Sequence, residues 1–233
     1  MFFVAKPLLI AHRGASAEAP ENTLAAFRRA LALGVDGIEL DVQVTCDGVP
    51  VVFHDFTLKR LTGQPGRVTR QTWSQLRQLR VHGTDPIPRL ADVLAVTRGR
   101  AVVQIELKRG AQVAPVIRAI RRSRASGWVI LASFEACLVR EAARLAPGVP
   151  RMLIATGVGG PDRWLRRLAA GGGGGLSVDH RAVRDRAWVR TVHARGGTLW
   201  CWTVNRPADF RRLAGWGVDG LLTDNPALMQ RKN

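Results

Sequence analysis

GIELDVQVTCDGVPVVFHD, residues 37–55, decides how the chain is read. Its first eight residues form an apolar run of Ile38, Leu40, Val42 and Val44, with Gly37, Glu39, Asp41 and Gln43 set among them. Such a run indicates a strand buried on both faces, as in a parallel sheet. Asp47-Gly48 between two strand-like runs is a strong hairpin signal. VVFHD (51–55) is therefore expected to be an extra strand, antiparallel to the extended end of the strand before it.

Outward from this stretch the chain alternates short apolar runs with helix-like segments. LLIA (8–11) precedes a helical stretch over 21–33, and VVQIEL (102–107) precedes 111–124. WVILAS (128–133) precedes 135–146, RMLIAT (151–156) precedes 161–170, and LSVD (176–179) precedes 184–194. TLWCWTV (198–204) precedes 207–215, and GLLT (220–223) closes the series before Pro226. With 37–44 that makes eight strands in 233 residues, the arithmetic of a (β/α)₈ TIM barrel near the lower end of its size range. A doubly wound open sheet has a similar pattern, but the first turn reads HRGAS rather than GxGxxG. The fold class expected is thus α/β, a TIM barrel with a short hairpin and loop insertion after the second strand. Residues 57–88 form the insertion, with one helix near Gln71–Arg80. No linker interrupts the pattern, so residues 1–233 are expected to be a single domain. The glycine tract 171–175 is expected to be a flexible helix-to-strand connection.

Composition bounds the function. A hydrophobic fraction of 46% and a charged fraction of 23% are ordinary for a globular chain. The net charge is +17, a sign that concentrates anions around the protein. The basic residues recur as pairs such as Arg28–Arg29, Arg121–Arg122 and Arg166–Arg167 within helix-like segments, which reads as solvated helix faces. The chain has no Tyr, and its seven Phe and seven Trp are not interleaved with Arg as a base-stacking surface requires. Nucleic acid is therefore not expected as a partner. Cys46, Cys137 and Cys201 form no CxxC pair and no zinc spacing, which fits a reducing compartment. Lys6 and Pro7 break the apolar N-terminus, no run reaches the length of a membrane span, and a cytoplasmic protein without membrane insertion is expected.

The chemistry-bearing residues sit where apolar strands end. His12 and Arg13 end the first, Glu39 and Asp41 lie near the end of the second, and His54 and Asp55 end the hairpin strand. Glu106 and Lys108 end VVQIEL, Ser133 the next, and Trp202 and Asn205 the seventh. In a (β/α)₈ barrel these ends open onto one face, where active sites are built. Glu39 and Asp41, two apart on a strand, point to the same side. With Glu106 they make a hard-cation site for Mg²⁺ or Ca²⁺, with Mn²⁺ also accommodated. The alternative is that these acids pair with Arg13 and Lys108. Two strand-end imidazoles, His12 and His54, suit general acid and base work near neutral pH. Arg13 and Lys108 are candidate anion binders. His82, His180 and His193 read as ordinary rim or surface residues.

The motifs HRGxSxxxPENT and GxExDVxxTxDGxxVVxHDxTLxRxTG resemble those of the glycerophosphodiester phosphodiesterase family. Here they are His12-Arg13-Gly14 with Pro20-Glu21-Asn22-Thr23, then Glu39, Asp41, Asp47-Gly48, His54-Asp55, Thr57-Leu58, Arg60 and Thr62-Gly63. IPRLADVL (87–94), IELK (105–108), WTVN (202–205) and DGLLTDNP (219–226) extend the resemblance over almost the whole chain. It implies a TIM barrel that hydrolyses glycerophosphodiesters, such as glycerophosphocholine or glycerophosphoethanolamine, to sn-glycerol 3-phosphate and an alcohol. It implies one divalent metal on Glu39, Asp41 and Glu106, acid/base work by His12 and His54, phosphate held by Arg13 and Lys108, and a substrate pocket lined by Trp202. Glu21 is expected to order the first loop. The rival readings are a phospholipase D-like enzyme acting on lysophospholipids or sphingomyelin, and a non-catalytic anion-binding protein suggested by the charge.

Overall fold

A computed structural model describes residues 6–157 and 159–230. Residues 1–5, on which the reading of the N-terminus partly rests, lie outside them. The elements in chain order are β1 (Leu8–Ala11), α1 (Leu24–Ala32), β2 (Gly37–Val44), β3 (Pro50–Val52), α2 (Lys59–Thr62), α3 (Trp73–Leu76), β4 (Arg80–Val81), β5 (Asp85–Pro86) and α4 (Leu90–Thr97). They continue with β6 (Val102–Leu107), α5 (Val113–Arg122), β7 (Val129–Ser133), α6 (Ala136–Leu145), β8 (Arg151–Ala155), α7 (Pro161–Gly171) and β9 (Gly175–Asp179). The last are α8 (Arg186–Ala194), β10 (Thr198–Trp202), α9 (Pro207–Trp216), β11 (Gly220–Thr223) and α10 (Pro226–Gln230).

Eight parallel strands run β1-β11-β10-β9-β8-β7-β6-β2. They close because β1 pairs on both sides, Ala11 with Thr223 of β11 and with Ile38 of β2. This is the TIM barrel that the strand count predicts. Inside it Ile10, Met152, Ile154, Trp200 and Leu222 pack together. The helices pack outside on the other strand faces. In α5, Val113, Val116, Ile117 and Ile120 are buried at i, i+3, i+4 and i+7, while Arg118, Arg121 and Arg122 face solvent. The paired arginines of α1 and α7 are exposed in the same way. Among the described residues no helix is long and apolar enough to cross a membrane. The three cysteines are free.

Several boundaries differ from the sequence expectation. Helix α1 starts at Leu24, because Thr23 is extended and its hydroxyl caps the helix by accepting from the Ala26 N–H. The predicted antiparallel strand is only Pro50–Val52, paired with Val42–Val44, so His54 and Asp55 lie beyond its end. The predicted helix at 71–80 is one turn, α3, set by a Thr72–Gln75 capping box. The insertion is also more built than a loop with one helix. It adds α2, a 3₁₀ turn and the β4–β5 hairpin around a core of Val51, Phe53, Leu58, Leu61, Val68, Leu76, Val81 and Ile87. Helix α4, absent from the sequence reading, completes the crossover from β2 to β6. The glycine tract, expected to be a flexible connection, forms a hydrogen-bonded turn. Gly172 ends α7 with φ +66°, and Gly173 N–H closes back to Leu168 C=O at 3.2 Å. A Cβ on Gly173 would meet Leu168 Cδ1 at 2.4 Å, whereas one on Gly174 would point into open space.

Candidate active site

Glu39, Asp41 and Glu106 come together inside the barrel mouth. Glu39 and Asp41 project from the same side of β2, and Asp41 stands beside Glu106 in the β2–β6 register. One carboxylate oxygen of each lies within 4.8 Å of the other two. All three are buried, Asp41 to 1% exposure. Burial and the charge of Asp41 push Glu39 up to about 8 and Glu106 up to about 7. Burial pushes Asp41 up too, but Lys108 and Arg13 outweigh it and hold that carboxyl below its ordinary value. The pairing alternative is partly realised: Lys108 Nζ lies 2.7 Å from Glu106 and 3.3 Å from Asp41. Glu39 has no such cation on it. It accepts the Arg13 N–H at 3.0 Å, and His12 Nε2 is 3.9 Å away. Three hard oxygen donors, two of which hold protons unless more positive charge arrives, fit a divalent cation.

Each histidine is held from behind. His12 Nδ1 is 2.7 Å from Asp224 Oδ1, and His54 Nδ1 is 2.7 Å from Asp55 Oδ1. Asp224 is itself fixed by Ser16 Oγ at 3.1 Å and Asn205 Nδ2 at 2.6 Å. Burial lowers the His12 pKa, but the Asp224 hydrogen bond and the charge of Glu39 overcome it and the net shift is upward. Burial dominates at His54, whose pKa falls.

The loop after β1 makes this geometry. Arg13 adopts φ +57° and Gly14 φ +83°, and Asn22 N–H closes the loop onto the Arg13 carbonyl at 3.0 Å. At Gly14 a Cβ would also strike α1, 2.7 Å from Ala26, so only glycine fits. Asn22, buried at 1% exposure, donates to Asp41 Oδ2 at 2.8 Å and accepts the Asp41 N–H at 3.3 Å. Glu21 bonds Arg13 Nη1 at 2.9 Å, the ordering role expected of it. Buried Gln43 donates to the Phe53 and Asp55 carbonyls at 2.9 and 2.7 Å, so β2 also carries the turn that presents His54.

A pocket is lined by His12, Arg13, Glu39, His54, Glu106, Lys108 and Trp202, with Phe134 and the barrel residues Gln104, Ile154, Ser177 and Leu222. Asp41 lies just beneath it. Trp202 meets Phe134 edge to face, with ring centroids 5.8 Å apart, and its buried Nε1 has no hydrogen-bond partner. Ser133 stays out of the pocket and bonds the Leu107 carbonyl at 2.8 Å. Asn205 serves Asp224 instead. His193 pairs with Asp219 at 2.9 Å. The sequence reading missed Asp224 and Gln43. Asp224 has a signal, since DGLLTDNP places an acid one residue past β11 at the same barrel end.

Residues 12–228 match the model of the glycerophosphoryl diester phosphodiesterase family. A glycerophosphodiester phosphodiesterase of Caldanaerobacter subterraneus subsp. tengcongensis is 34% identical, over 95% of this chain and 95% of its own length. A phosphodiesterase of Oleispira antarctica, solved in complex with the product sn-glycerol-3-phosphate, superposes with a TM-score of 0.88 at 27% identity, covering 97% and 96% of the two chains. The Agrobacterium tumefaciens glycerophosphodiester phosphodiesterase superposes at 0.84 with 30% identity, covering 96% and 98%. These likenesses favour neither a non-catalytic anion binder nor a phospholipase D-like activity. With a matching family model, barrel and acidic cluster, this chain belongs to the glycerophosphoryl diester phosphodiesterase family and is an enzyme of that family.

Proposed function

We propose that the protein, acting as one catalytic domain, hydrolyses glycerophosphodiesters such as glycerophosphocholine or glycerophosphoethanolamine to sn-glycerol 3-phosphate and an alcohol. The observation that carries this reading is the pair of imidazoles in one pocket, each gripped at Nδ1 by a carboxylate 2.7 Å away. That grip fixes the ring and leaves Nε2 as the working atom. One histidine takes the proton of the attacking hydroxyl, and the other protonates the departing alkoxide. The attacking group is water, or the glycerol 2-hydroxyl with a cyclic phosphate opened by water in a second step. Arg13 and Lys108 neutralise the non-bridging phosphate oxygens. Trp202 and Phe134 wall the substrate. Glu39, Asp41 and Glu106 would hold one divalent cation, Mg²⁺ or Ca²⁺ with Mn²⁺ also suited, and the bound cation supplies charge neutralisation at phosphate.

The test is release of glycerol 3-phosphate from glycerophosphocholine after chelation, with Mg²⁺, Ca²⁺ or Mn²⁺ returned one at a time. Metal-restored release is expected. Replacing His12 or His54 with Ala should nearly abolish it while the protein stays folded. Release of choline phosphate instead, or no release with any metal, rejects the reading.

A further inference from the structure

Arg60 belongs to the sequence motif yet has no part in the chemistry above. It lies on α2 of the insertion, and its guanidinium reaches the barrel mouth. Its Nε and Nη2 bond the two Asp55 oxygens at 2.6 and 2.7 Å. Its Nη1 and Nη2 bond the two Glu21 oxygens, each at 2.9 Å. Asp55 is the carboxylate on His54, and Glu21 is one of two carboxylates on Arg13, the other being Asp41. An unbroken chain of charge-assisted hydrogen bonds therefore runs His54–Asp55–Arg60–Glu21–Arg13.

We infer that Arg60 is a positioning residue that locks His54 and Arg13 into one arrangement. It joins a histidine just past β3 to an arginine carried by the loop after β1. The inference rests on the pocket roles proposed for those two residues. Two features of the guanidinium suit it to the task. Its planar fork engages two carboxylates bidentately, which an ammonium cannot do. Its side chain is also 47% exposed, so solvent screens its ion pairs and they contribute little to folding. Its effect is expressed in the geometry of the pocket. At Arg13, Asp41 lies 3.2 Å from Nε, and Nη1 is held by Glu21, the carboxylate that Arg60 fixes. At His54, two residues past the end of β3, Gln43 holds the backbone on either side, while Asp55, gripped by Arg60, holds the ring.

The experiment compares the parent protein, Arg60→Ala and Arg60→Lys on glycerophosphocholine at saturating metal, with melting temperatures taken alongside. Arg60→Ala is expected to lose roughly 10- to 100-fold in kcat, the usual effect of removing a partner that orients a site residue. Its melting temperature should stay within about 3 °C of the parent. Added guanidinium should restore part of the turnover, and tetramethylammonium at the same concentration should not. Arg60→Lys, which keeps stem and charge, should turn over more like Arg60→Ala than like the parent, and it serves as the readout if the alanine protein does not fold. Either variant within about twofold of the parent, or a loss in Arg60→Ala that guanidinium does not relieve, overturns the inference. A parent protein that releases no glycerol 3-phosphate refutes the proposed function instead, so the two failures are told apart.

Discussion

Lowering the pH from 8 to 6 should weaken divalent-cation binding by about a thousandfold. Without a cation, burial and Asp41 push Glu39 up to about 8 and Glu106 up to about 7. At pH 6 both carboxyls hold protons, and a cation must expel them to bind. Each expelled proton weakens binding about tenfold per pH unit below the carboxyl's pKa. From pH 8 to 7 only Glu39 contributes, about tenfold. From pH 7 to 6 both contribute, about a hundredfold. The sum is about 4 kcal/mol at about 1.36 kcal/mol per unit. Calorimetric titration with Mg²⁺ or Ca²⁺ at pH 6, 7 and 8, in two buffers of different ionisation enthalpy, reads both affinity and protons released. The acids interact, so the slope over the range is the quantity to compare. A dissociation constant that changes less than about tenfold between pH 8 and 6, with no proton release, refutes the reasoning.

The same shifts fix the sign of a stability effect. Glu39 and Glu106 hold protons more tightly in the folded chain than at their ordinary 4.5. Their contribution to stability is full below pH 4.5 and is lost as pH rises through about 7 and 8. Asp55 and Asp224 are shifted the other way, and their contributions are lost only in acid, below the ordinary carboxylate value of 3.8. The chelated protein should therefore melt at a lower temperature at pH 8 than at pH 5.5. Added cation should raise the melting temperature more at pH 8 than at pH 5.5.

Three substitutions test other parts of the site and barrel. Asp224→Asn keeps the shape but removes the charge that raises His12, leaving burial and Arg13 opposed by Glu39 alone; histidine NMR on the chelated protein should show His12 titrating at lower pH, and an unmoved midpoint would deny Asp224 its hold. Trp202→Phe keeps a ring against Phe134 but removes part of the pocket wall, so KM for glycerophosphocholine should rise by about 1 kcal/mol, or roughly fivefold, with kcat little changed. Gly220→Ala drives a methyl to within 2.7 Å of the Trp200 ring inside the barrel and should destabilise the fold by about 1–3 kcal/mol in urea, with unchanged stability contradicting the packing.

The closed barrel and most of the pocket were legible in the sequence because both rest on local periodicity. A buried parallel strand announces itself as a continuous apolar run, and a polar residue at its end stands out against that run. Glu39, Asp41, Glu106, His12 and His54 were all visible on those grounds, and the pocket does bring them together. The insertion was less legible because its elements are short. Helices α2 and α3 are four residues each, too few to show a period, and their packing on Leu61 and Leu76 decides their form. The supports of the two histidines differ in the same way. Asp55 follows His54 directly and is visible in the HD pair, whereas Asp224 is 212 residues from His12. Only barrel closure, β1 against β11, brings Asp224 home. The ring closure that defines the fold is thus also what completes the His12 site. A change that loosens the β1–β11 seam should therefore cost turnover before it costs the barrel, because Asp224 is held by side chains at the seam's open end.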